Sequence, residues 1–119
     1  MDKYTQIAAR ILLAQIFLVT GINKIGGYAG TQAYMEAIGV PGVLLPGVIA
    51  LEIGGALALM TGYGARWAAL ALAVFSVVAA LLFHHDFADK TQFIMFLKNL
   101  SIAGGLLLLF AQAETGNRS

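Results

Sequence analysis

The chain has 119 residues, 60% of them hydrophobic and only 11% charged, with a mean hydropathy of +0.84, a composition that belongs to membrane proteins and excludes a soluble globular domain. Seven Lys and Arg against six Asp and Glu leave a formal charge of +1, which excludes the basic surface a nucleic-acid partner needs. The absence of cysteine excludes disulfides, thiolate metal sites and iron–sulfur ligation.

The apolar runs predict an all-α membrane protein, a single domain over residues 1–119 with four transmembrane helices in an up-down bundle. The first span is expected at about 7–25; it lacks a small-residue cleavage site and reads as a retained helix, not a signal peptide. The glycines of NKIGGYAG end it near Gly26. In TQAYMEAIGVPG, Thr31 is positioned to cap a short interfacial helix that Gly39 and Pro41 terminate. The second span, about 43–62, carries Pro46 in its first turn, where a missing N–H costs little, and TGYGAR makes a tight connection to the third. The third span, about 66–84, is interrupted only by Ser76 and leaves through HHDFADK. The fourth is expected at about 92–112, followed by ETGNRS, a tail too short to fold.

An even number of spans puts both termini on one side. Lys3, Arg10, Arg66 and Arg118 then stand against Lys24 and Lys90, which favours an N-in and C-in orientation in a cytoplasmic membrane. Gly54, Ala58 and Gly62, and Gly104 with Gly105, read as close-packing positions.

Against this background the polar residues inside the spans are the candidates for function. Glu52, in VIALEIGGALALM, and Lys98 both fall in the outer half, so Lys98 is the expected partner of Glu52 in a buried pair that is either catalytic or only structural. Asn23, Lys24, His84 and His85 reach the same end of the bundle and, with Asn99, form a candidate ligand-binding set. Each also has a structural reading: a cation at a helix C-terminus for Lys24, an interhelical hydrogen bond for Asn99, a cap or headgroup contact for the histidines. No metal site is expected, because adjacent helical residues point about 100° apart and one ion cannot easily take both imidazoles.

Arg10, then GINK, AYMEAIGVP, LEIGGALALMTG, Arg66, FHHD and FLKNLSIAGG, in that order and over nearly the whole chain, make the sequence resemble the DoxX family of small bacterial inner-membrane proteins. The resemblance implies a four-helix membrane protein. Some relatives serve as the membrane subunit of thiosulfate:quinone oxidoreductase, and others associate with oxidative-stress and sulfur-transfer enzymes. It carries no catalytic assignment onto these residues.

Two functions of different class follow. One is a quinone-linked accessory subunit, with an apolar slot of Phe17, Phe83, Phe87, Phe93 and Phe96 holding the ring, and Lys98, Asn99 or a histidine donating to a carbonyl. The sequence has no haem, flavin or iron–sulfur signature, so electrons would come from a soluble redox partner or another subunit. The other is a non-catalytic scaffold or assembly factor. In both readings the partners are membrane lipid, other subunits and, as an open alternative, a second copy of the chain. Conduction ranks below them, because Gln15 and Ser76 are the only mid-span polar residues of the inner half.

Overall fold

A computed structural model describes residues 2–116. Its helices are α1 (Lys3–Gly26), α2 (Tyr28–Ala37), α3 (Leu45–Thr61), α4 (Ala65–Phe83) and α5 (Lys90–Gly116), with a 3-10 turn at Gly42–Leu44 leading into α3 and no strand among the described residues. Four of these segments, Lys3–Gly26, Gly42–Thr61, Ala65–Phe83 and Lys90–Gln112, are long and apolar enough to cross a membrane. Their large apolar side chains are widely exposed, Leu12, Val43, Trp67 and Leu108 among them. Lipid, not water, is the solvent such a surface requires.

Local chemistry sets the helix ends. The Asp2 carboxylate accepts from the Tyr4 N–H at 3.3 Å and the Thr5 hydroxyl at 3.1 Å, so α1 begins several residues before the apolar run does. Asp89 does the same for α5, accepting from the Thr91 N–H at 2.9 Å, which moves the start of α5 back to Lys90. At the other end α5 runs on to Gly116 and takes in half of the segment expected to be an unstructured tail. Gly62, at φ +85°, is the left-handed residue that closes α3. Thr31 is not a cap: α2 starts at Tyr28 behind Gly27, which has no side chain to offer, and Thr31 lies within it. Arg118, counted in the charge asymmetry, lies outside the described residues.

The four long helices alternate in direction, which leaves α2 and the 3-10 turn at the end of the bundle opposite the termini. Packing follows chain order, with α1 against α3, α3 against α4, and α4 most extensively against α5. The core is small and largely alanine and leucine: Ala14, Ala56, Leu59, Leu72, Ala73 and Leu106. Of the glycines expected at the interfaces, Gly105 packs, with a Cβ there 3.4 Å from Leu13, whereas Gly54 and Gly104 meet nothing; on α3 the packing falls to Gly55, where a Cβ would lie 2.9 Å from Leu72. The one-residue shift from Gly54 to Gly55 reflects which side of α3 faces α4. Helices α1 and α5 meet near Leu13 and Gly105 but pack on each other far less extensively than α1 does on α3 or α5 does on α4.

Candidate functional site

Glu52 is 3% exposed on α3, and its position is possible because α1 comes very close there. Gly21 is the reason: a Cβ at that position would lie 2.7 Å from Ile53 Cγ1 and 3.3 Å from Glu52 Cβ. With the two backbones this close, Lys24 Nζ reaches Glu52 Oε1 at 2.7 Å, and the Thr20 hydroxyl donates to Glu52 Oε2 at 2.7 Å. Thr20 Oγ1 also lies 3.3 Å from the Phe17 carbonyl, but its single proton serves the shorter, charge-assisted contact. Thr20 and Lys24 are one helical turn apart on one face of α1, and helical side chains lean toward the N-terminus, so both reach down to the same carboxylate.

This overturns the expected partner. Glu52 pairs with Lys24, and Lys98 is exposed on α5. Depth along the spans allowed either lysine; the close α1–α3 approach at Gly21 decided between them, and that approach is a tertiary fact.

The cluster borders a cavity of about 520 Å³ that all five helices enclose. Ile16, Phe17, Thr20 and Lys24 come from α1, Val48 and Glu52 from α3, Phe75, Ser76, Phe83 and His84 from α4 and its end, and Met95, Asn99 and Ile102 from α5. Helix α2 covers the end with Thr31, Tyr34 and Met35, and the Tyr34 ring stacks on Phe83 with centroids 5.6 Å apart and planes 23° apart. Of the candidate ligand-binding set, the cavity brings together Lys24, His84 and Asn99 with Glu52. Asn23 and His85 are exposed and outside its wall. Phe17 and Phe83 belong to the wall, whereas Phe93 and Phe96 each pack edge-to-face on Phe87 where α5 begins.

Three residues of the site were not singled out for it by the sequence reading. Thr20 carries a usable signal, its four-residue spacing from Lys24. Ser76 reads in the sequence only as a mid-span polar residue; it is 2% exposed, borders the cavity, and its hydroxyl has no partner among the described residues. Tyr34 gives no sequence signal at all, because its role depends on α2 folding over the bundle.

Electrostatically the cavity is nearly balanced, since the Lys24 charge meets that of Glu52 within it. His84 follows the last residue of α4, where burial lowers its pKa from the ordinary 6.5 and favours the neutral imidazole. An apolar chamber with one neutralised ion pair and a few hydrogen-bonding groups suits a largely apolar ligand with polar atoms at its rim.

The DoxX family model matches residues 5–85. The chain is 53% identical over 103 residues to inner membrane protein YqjF of Escherichia coli K12, covering 87% of this chain and 79% of that one. It is 35% identical over 109 residues to inner membrane protein YphA of the same organism, covering 85% and 77%. No solved structure matches it.

Proposed function

The chain belongs to the DoxX family and is a multi-pass inner-membrane protein, and on that premise we propose that it is a quinone-linked accessory subunit of a redox complex, with the cavity beneath α2 as its quinone site. The observation that carries the proposal is the meeting of Lys24, Glu52, His84 and Asn99 in one apolar chamber of about 520 Å³. That volume falls within the roughly 300–1,000 Å³ of small-molecule sites, and a few convergent polar groups in an apolar wall are what orients a ring there. In our reading the chain is N-in and C-in, the orientation favoured by Lys3, Arg10, Arg66 and Arg118 of the sequence against Lys24 and Lys90, with Lys98 inside a span and counted on neither side, and the cavity then lies in the outer half of the membrane.

A quinone, when bound, supplies a two-electron, two-proton acceptor; the electrons come from a soluble redox protein or another subunit. This chain's own residues supply position and protons. The Asn99 amide donates to a ring carbonyl, and neutral His84 donates or accepts at the α2 end. The Lys24 side chain is 26% exposed while that of Glu52 is 4% exposed, so the pair links the outside of the bundle to the cavity wall and gives protons a route between them. Phe17, Phe75 and Phe83 exclude water. The apolar tail leaves between α1 and α5, where Ile16 and Met95 border the cavity and are also 43% and 42% exposed.

The test is purification in mild detergent followed by solvent extraction and mass spectrometry, together with thermal melting in added short-tailed quinone. Co-purified quinone, and a melting point that rises with quinone and does so less in Asn99→Leu, support the reading. A quinone-free protein that does not respond, yet captures partner subunits intact, establishes the scaffold function in its place.

A further inference from the structure

Lys98, like Asn23 and His85, is a candidate that the site above leaves unused, and helix geometry locates it. Gly105 of α5 lies against Leu13 of α1. Lys98 is seven residues before Gly105, and Thr20 is seven residues after Leu13; a seven-residue step returns to within about 20° of the same helix face. The two helices run in opposite directions, so both steps lead toward α2. Lys98 therefore stands on the face of α5 that looks across the seam to α1, at the level of Thr20 and the carboxylate it serves.

At that level the seam is open. Met95, Asn99 and Ile102 of α5 and Ile16 and Thr20 of α1 border the cavity, whereas Lys98, next to Asn99 in the chain, is exposed and outside the cavity wall. It is about 12 Å along α5 from Lys90, and it has no ion pair or hydrogen bond among the described residues. An uncompensated cation at such depth is costly unless its long stem carries it to water or an anion comes to it. Within the site the Lys24 charge is already committed to Glu52, so Lys98 is the surplus positive charge.

We infer that Lys98 is an anion-binding group at the lateral mouth of the cavity, and that the site prefers a quinone-type ring carrying negative charge over a neutral one of the same shape. This rests on the quinone reading and adds the class of ligand to it. The ring enters from lipid between α1 and α5 with its apolar part toward Phe17 and Phe75, and its charged oxygen stays at the rim beside the ammonium group.

The experiment compares two probes on the detergent-purified chain: an alkyl-substituted hydroxynaphthoquinone, an anion at neutral pH, and its O-methyl ether, which is neutral. Binding is read by calorimetry and by the ligand-induced rise in melting temperature. Wild type should bind the anion about tenfold or more tightly than the ether, as a charge-assisted contact provides. Lys98→Met should remove that preference without weakening the ether, and Lys98→Arg should keep most of it. Because Lys98 is exposed, the unliganded variants should melt as wild type does, and Lys98→Gln serves as a second neutral variant. Binding of both probes with a ratio unchanged in Lys98→Met and Lys98→Gln overturns the inference and leaves the quinone site standing. Binding of neither probe by wild type overturns both.

Discussion

Removing Lys24 should harm the protein far more than removing Glu52, although the two form one ion pair. Lys24→Met leaves a carboxylate that is 3% exposed, held by one hydroxyl at 2.7 Å and with its cation gone. Breaking a buried pair by deleting one partner costs about 3 to 5 kcal/mol. Glu52→Gln leaves a different remainder: the Lys24 side chain is already 26% exposed near the end of α1 and can turn its ammonium outward, and the new amide oxygen still accepts from Thr20. The loss is then that of one charge-assisted contact set against the relief of a buried charge, about 1 kcal/mol. The double variant should resemble Glu52→Gln, so the cycle should yield a coupling energy of about 3 to 5 kcal/mol, the whole cost of Lys24→Met. Unfolding in mixed micelles by titration with a denaturing detergent measures all four proteins under one condition. Lys98→Met in the same series should stay within about 0.5 kcal/mol of wild type. A Lys24→Met protein as stable as wild type, or a Lys98→Met protein as damaged as Lys24→Met is expected to be, would refute the pairing and with it the α1–α3 geometry.

Gly21→Val should force α1 away from α3, since even a Cβ would lie 2.7 Å from Ile53; a loss of about 1 to 3 kcal/mol is expected, and the Lys24–Glu52 coupling energy should shrink in the same background. Gly62→Ala places a side chain at φ +85° and against the Arg10 guanidinium, so thermal melting should show a cost of about 1 to 2 kcal/mol, whereas Gly54→Ala, facing open space on the same helix, should be neutral or stabilising. Ser76→Ala should not destabilise the unliganded chain, because the hydroxyl it removes is buried without a partner; a clear drop in melting temperature would show that the hydroxyl is bonded. Burial holds the pKa of His84 below the ordinary 6.5 of an unfolded chain, so stability is unaffected above that value and falls as pH drops below it; His84→Gln should flatten this acid limb, and an unchanged pH profile would show that His84 is solvated.

The sequence by itself determined the architecture, because a bilayer leaves little choice: apolar runs of about 20 residues must become helices, and their number puts α2 opposite the termini. It also determined that Glu52 needs a cation and that the polar residues collect at one end of the bundle, since depth along a helix is counted in residues. Which cation it takes was decided by tertiary structure. Lys24 and Lys98 are both within reach by depth, and only the approach of α1 to α3 at Gly21 turns one toward the carboxylate and leaves the other exposed. The same holds for Gly55 in place of Gly54, for Gly105 as the packed member of the Gly104–Gly105 pair, for Tyr34 over the cavity, and for Phe87, Phe93 and Phe96 outside it. Helical periodicity says which residues share a face, but in a chain apolar on every side it does not say which face meets a neighbouring helix and which meets lipid; interhelical packing alone makes that choice.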